Sequence, residues 1–217
     1  MSGQHTSAAE PPQGANSTPS GGSAAREPEG PPRGRTGESE ARASFNPSQA
    51  WGHDTCEEFP IEGGCTCRRV RYRMTTEPLF VHCCHCRWCQ RETGSAFVLN
   101  ALIESDRVLL LQGAPVTIDT PSNSGRGQKI VRCPDCHVAL WSHYAGAGDK
   151  LKFVRVGTLD DPDRLPPDIH IFTASKQPWV PLPPDKPAMP EYYDSKLHWP
   201  AASLERRRAI FPPKPAA

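Results

Sequence analysis

Residues 1–50 contain no valine, isoleucine or leucine, and their only large apolar residues are Met1 and Phe45. Such a segment cannot bury enough surface to offset roughly 1–2 kcal/mol of backbone entropy per residue, so composition predicts a disordered tail over residues 1–50. No run of about 18 apolar residues exists to span a bilayer. No apolar stretch near Met1 reads as a secretory leader. Glu10 precedes the first arginine, Arg26, which fits poorly with a mitochondrial address. The expected location is the cytoplasm, with the nucleus as the alternative. The net charge is only +1, and no dense basic block is available for counterion release, so nucleic acid is not an expected partner. No membrane partner is expected either, and the oligomeric state is left open. Long periodic helices, internal repeats and a thioredoxin-like βαβ pattern are all missing. The last absence argues against a redox role for the Cys-x-x-Cys pairs.

Short strand-like runs are plentiful. Val70, Tyr72 and Met74 alternate with Arg69, Arg71 and Arg73. Further runs are Leu79 to Val81, Ala96 to Ile103, Val108 to Leu111, Val116 to Ile118, Ile130 to Val131, Val138 to Trp141, Leu151 to Val156 and Ile169 to Phe172. Gly, Pro, Asn and Asp separate them, so the pattern predicts a mainly β domain over residues 51–195, with order beginning between Trp51 and Cys56. Beyond Gln177 prolines recur and predict an extended, surface-wrapping chain. Residues 196–217 form a C-terminal extension. One short helix is expected over Pro200 to Ile210, with Leu204 and Phe211 facing the body and Arg206, Arg207 and Arg208 forming a solvated face.

Nine cysteines are present. In a reducing compartment they read as metal ligands rather than disulfides, and the odd count agrees. They cluster as Cys65-Thr66-Cys67, as Cys83-Cys84-His85-Cys86-Arg87-Trp88-Cys89, and as Cys133-Pro134-Asp135-Cys136. A structural zinc site takes four thiolates in a tetrahedron, and a close pair supplies two adjacent corners. If Cys84, Cys86 and Cys89 are the ligands of the middle cluster, the natural division is four plus three. Cys65, Cys67, Cys133 and Cys136 then make a closed site whose metal contributes directly to folding. The other three leave a fourth position, the arrangement of a catalytic zinc, where a visiting thiol binds as thiolate. The rival arrangement closes that position with Cys83, Cys56, His82 or His85 and leaves the metal purely structural.

These residues resemble the glutathione-dependent formaldehyde-activating family, whose domain is also called the centromere protein V/GFA domain. The likeness is carried by Gly63-Gly64-Cys65-Thr66-Cys67 with Val70-Arg71-Tyr72, and by Cys84 to Arg91. Gly94-Ser95-Ala96-Phe97, the late Cys133 to Cys136 pair and Ser175-Lys176-Gln177-Pro178-Trp179 complete it. It extends from Phe59 to Tyr193. The resemblance implies an Mss4-like zinc-binding β fold with two Zn²⁺ per chain. Cys65, Cys67, Cys133 and Cys136 would hold the structural ion, and Cys84, Cys86 and Cys89 the catalytic one. It implies a carbon–sulfur lyase joining a thiol such as glutathione to formaldehyde or a related aldehyde, or cleaving the adduct. The alternative is a non-catalytic zinc-stabilised binding module. Arg87, Arg91 and Lys176 are candidates to pair with substrate carboxylates, and His82, His85 and His143 are candidates for proton transfer. Trp88 and Trp179 are candidates for an apolar wall.

Two positions depart from the family pattern. Glycine usually follows the first Cys-x-Cys and the last Cys-x-x-Cys, where Arg68 and His137 stand here. Glycine suits such corners because positive φ costs it nothing, whereas Arg or His adopts it only with strain.

Overall fold

The computed structural model describes residues 59–212. The expected tail over residues 1–50, the start of order between Trp51 and Cys56, and Cys56 itself lie outside those residues.

The chain forms two sheets. The first contains β1 (Ile61–Gly64), β2 (Arg71–Met74) and β5 (Val108–Gln112) in the order β1-β2-β5. The second contains β3 (Phe80–Cys84), β4 (Val98–Glu104), β6 (Val116–Thr120), β7 (Gln128–Arg132), β8 (Ala139–Tyr144), β9 (Leu151–Arg155) and β10 (Ile169–Ile171). Its order is β10-β3-β4-β9-β8-β7-β6, antiparallel throughout except where β10 joins β3 in parallel. The mainly β architecture expected from the spacing of the apolar runs is therefore the one adopted.

At β3 and β4 both faces of the large sheet are covered, which explains why β4 reads as a nearly continuous apolar run. Successive strand residues point to opposite faces. Val81, Ala101 and Ile103 pack with Tyr72, Met74, Val108 and Ile61 of the small sheet to form one core. Phe80, Cys84, Val98 and Leu102 face the other way, into a second core closed by Trp199, Leu204, Ile210 and Phe211. That second cover comes from the end of the chain, including α3 (Ala201–Ile210). Trp199 stacks on Phe80, with ring centroids 5.6 Å apart and planes 22° apart. The Pro-rich segment lies along the β10 edge, where the His170 N–H donates to the Pro187 carbonyl and the Met189 N–H to the His170 carbonyl, both at 2.8 Å.

The three arginines of α3 do not form one solvated face. The Arg206 guanidinium donates through Nε to Glu104 Oε1 at 2.8 Å and through Nη2 to the Glu77 carbonyl at 3.0 Å. The Glu104 side chain is only 8% exposed, so a carboxylate there needs cationic partners, and Arg206 is the closer of two, with Arg107 Nε at 3.4 Å. Sequence pattern alone does not show it, because the partner is 102 residues away. Arg206→Ala should therefore destabilise the protein by about 2–3 kcal/mol, less than a wholly buried pair because Arg206 itself is 23% exposed. Denaturant unfolding checks this, with Arg208→Ala, on the exposed side of α3, expected to be neutral.

Among the described residues, no helix is long and apolar enough to cross a membrane.

Candidate functional site

The outer cysteine pairs sit on two turns of matching design. Cys65 follows β1, its carbonyl accepts from the Arg68 N–H at 2.9 Å, and its own N–H donates to the Val70 carbonyl at 3.1 Å. Cys133 follows β7, its carbonyl accepts from the His137 N–H, and its N–H donates to the Val138 carbonyl, both at 3.1 Å. Each turn closes through a left-handed residue, Arg68 at φ 61° and His137 at φ 59°. These are the two corners where glycine is expected. The turns therefore keep the glycine geometry and carry the strain. Arg68→Gly and His137→Gly should each stabilise the metal-loaded domain by roughly 1 kcal/mol, since a left-handed non-glycine residue costs about 1–2 kcal/mol and glycine gives part of that back as chain entropy. Thermal melts of the two variants check the sign.

The turns bring Cys65, Cys67, Cys133 and Cys136 together, with all four sulfurs within 4.8 Å of one another. Cys65 Sγ lies 3.4 Å from Cys67 Sγ, which lies 3.6 Å from Cys133 Sγ. A tetrahedral zinc with bonds near 2.3 Å would space its sulfurs by about 3.8 Å. Cys136 is drawn down to about 6 by the backbone N–H of Cys67 and then that of Val138, which favours the ionised form a metal requires. The group can hold a metal.

The middle cluster divides across its own chain. Cys84 ends β3, Cys86 caps the short helix α1 (Arg87–Thr93), and Cys89 lies in its first turn, donating its N–H to Cys86 Sγ at 3.4 Å. Gly94, left-handed at φ 62°, ends the helix. The three sulfurs converge, and each residue is 6% exposed. Hydrogen bonds from Cys84 and Cys89 hold the Cys86 sulfur well below the usual thiol range, while the bond to Cys86 pushes Cys84 up. One shared negative charge is what three crowded sulfurs sustain unaided, and a cation there would ionise all three. This group too can hold a metal. Cys83 and His85, two of the residues able to close it, turn to the opposite side, where they meet His170.

Cys84, Cys86 and Cys89 line a cavity of about 580 Å³. None of the four outer cysteines reaches it. Its walls include Trp88, Tyr144, Phe153, Phe172, Trp199 and Phe211. Arg126 and Arg207 also line it, and among the described residues no Asp or Glu does. Of the three histidines considered, only His82 is present. Trp199 Nε1–H donates to Tyr193 Oη at 2.7 Å, which leaves the Tyr193 hydroxyl proton for His82 Nε2 at 2.6 Å. Burial pushes His82 down to about 4, so it is neutral near pH 7. His143 points elsewhere, its Nδ1 bonded to the Leu151 carbonyl at 2.9 Å.

Arg87, Arg91 and Lys176 do not line the cavity. Arg87 donates to Gln90 Oε1 at 2.8 Å, and Lys176 Nζ is taken up by the carbonyls of Gln177 and Val180. Arg91 is exposed on α1, away from the cavity. Arg87 and Arg91 lie beside the cysteines on α1, and Lys176 follows the Thr173–Ser175 turn, yet none of the three is among the residues that line the cavity. Trp88 reaches the cavity, whereas Trp179 is 72% exposed and does not. The missed contributors, Arg126, Arg207 and the aromatic walls, lie far from the cysteine motif in sequence and carry no motif of their own.

The structure is thus a β domain with two cysteine groups able to hold metal, one joining two turns and one opening on a cavity. The family model for the glutathione-dependent formaldehyde-activating enzyme matches residues 60–175, and the chain belongs to that family. No curated protein matches it. Among solved structures, a Rhodobacter sphaeroides protein aligns at 17% identity over 46% of this chain and 88% of its own, with a TM-score of 0.35.

Proposed function

We propose that the chain is a zinc-dependent carbon–sulfur lyase that joins a thiol such as glutathione to formaldehyde or a related aldehyde, or cleaves the adduct. The observation that carries this reading is the cavity: the three-cysteine group opens on it and the four-cysteine group does not. Cys65, Cys67, Cys133 and Cys136 would hold a structural zinc, and Cys84, Cys86 and Cys89 a second zinc with its fourth position toward the cavity.

Zinc bound by three thiolates supplies a Lewis-acidic position at which an incoming thiol ionises near neutral pH. The chain's own residues do the rest. Trp88, Phe153, Phe211 and their neighbours exclude water around the sulfur. Arg126 and Arg207 receive the carboxylates of a peptide thiol, which guanidinium binds in two-point fashion. Among the described residues no carboxylate lines the cavity, which leaves those cations directed at the ligand. His82, neutral and held by Tyr193, is the imidazole that lines the cavity among the described residues and the natural carrier of the thiol proton.

The test is steady-state adduct formation above the uncatalysed reaction of thiol with aldehyde. Arg126→Glu and Arg207→Glu should each raise KM for glutathione about tenfold with kcat nearly unchanged, as expected for a lost charge-assisted contact. Unchanged KM in both would remove the carboxylate assignment. No rate above background in the zinc-loaded wild type would remove the enzyme and favour a binding module.

A further inference from the structure

A third cluster of metal-binding side chains lies behind the second. β3 alternates sides and ends at Cys84; Cys84 and, just past its end, Cys86 line the cavity, while Cys83 and His85 do not and meet His170 instead. The parallel register of β3 with β10 sets His170 directly beside Cys83. Cys83 Sγ, His85 Nε2 and His170 Nδ1 therefore converge within 4.8 Å of one another. All three residues are buried, at 1%, 0% and 6% exposure.

The spacing is close enough for one ion to bridge all three donors. His85 Nε2 lies 3.5 Å from Cys83 Sγ and 3.0 Å from His170 Nδ1. A tetrahedral zinc would space sulfur from nitrogen by about 3.5 Å and two nitrogens by about 3.3 Å. Both contacts fall on one imidazole nitrogen, which in the neutral ring offers a single proton or a single lone pair and so serves one partner well. A central ion takes a lone pair from each of the three. The outer nitrogens, His85 Nδ1 and His170 Nε2, have no hydrogen-bond partner among the described residues and would carry the ring protons. Packing fixes the rings instead: His85 stacks on His170 at 24°, and Phe97 meets it edge-on with centroids 5.5 Å apart.

We propose that Cys83, His85 and His170 form a third metal site, separate from the two cysteine groups, for a thiophilic d¹⁰ ion. Three buried donors with one thiolate suit cuprous copper, which accepts three ligands, whereas zinc would have to admit a fourth. The site lies on the far side of β3 from the cavity, and its occupancy does not depend on the lyase reading.

The test uses the full chain, reduced and chelator-stripped, as wild type, Cys83→Ala and His170→Gln. Each is loaded with zinc, desalted and counted. Buffered Cu(I) is then added, and both metals are counted again. The wild type should hold one more ion per chain than either variant, as zinc in the first step or as copper taken up without zinc release in the second. Circular dichroism identifies a misfolded variant, and Cys83→Ala decides if His170→Gln fails to fold, because Cys behaves there as a small buried side chain. In ¹⁵N spectra of histidine-labelled wild type, loading should lock His85 as the Nδ1–H tautomer and His170 as the Nε2–H tautomer. Equal metal in wild type and Cys83→Ala at both steps, or one zinc released for every copper bound, would overturn the proposal. The difference between wild type and variant is read separately from the total left in the variant, which reports on the other two sites.

Discussion

Cys136→Ser should abolish cooperative folding. Cys136 belongs to the group that ties the β1–β2 turn to the β7–β8 turn, and its neighbours Cys67 and Cys133 are 66 residues apart. Metal at such a site is folding free energy, with apparent values of about 10–16 kcal/mol for structural zinc, against a whole-domain stability of about 5–15 kcal/mol. Serine is not a thiolate, so the tetrahedron loses a corner and most of that contribution goes with it. Near-ultraviolet circular dichroism and thermal melting report the outcome. The variant should lack the cooperative transition, and a strong chelator added to wild type should reproduce that state. A melt within a few degrees of wild type would show that the two turns stand without metal.

Cys86→Ser should do the opposite, leaving the fold intact while removing activity. Cys86 is the N-cap of α1 and accepts the Cys89 N–H. Serine is among the best N-cap residues, so the helix start survives. The packing of Cys84 and Cys89 in the second core is undisturbed. What disappears is one of the three converging sulfurs. One zinc per chain should be lost, and kcat/KM should fall by about 10³-fold or more, since the metal supplies several kcal/mol of charge stabilisation. Metal counts, melting and kinetics on the same preparation separate the effects. Retained zinc with retained activity would contradict the role given to Cys86.

Much of the sheet was legible because its strands are short, apolar and bounded by turn residues. The runs from Val70 to Met74 through Ile169 to Phe172 correspond to nine strands, β2 to β10. β1 was not legible. Ile61-Glu62-Gly63-Gly64 has one strongly apolar residue, and its glycines are there for close approach: a Cβ on Gly63 would lie 2.6 Å from the Thr158 carbonyl oxygen, and one on Gly64 2.3 Å from that of Val70. α1 was missed because its seven residues carry the cysteine motif rather than an amphipathic period. Spacing marked the three cysteine clusters, because ligands close in sequence occupy adjacent corners of one polyhedron, while the choice of Cys84, Cys86 and Cys89 in the middle cluster came from the family resemblance. Arg68 and His137 could also be read as strained corners, and both are left-handed. The cavity could not be read. Arg126, Tyr144, Trp199 and Arg207 meet the cysteines only through tertiary packing, and Cys83 meets His170 only through the parallel pairing of β3 and β10.

The central claim is that a metal at Cys84, Cys86 and Cys89 keeps a position for a substrate sulfur. Zinc K-edge X-ray absorption on the zinc-loaded chain, recorded without and with saturating glutathione, addresses it directly. The account predicts that sulfur coordination per zinc rises on adding glutathione in wild type and stays constant in Cys86→Ser. An unchanged sulfur shell in wild type, with glutathione at saturation, would contradict it.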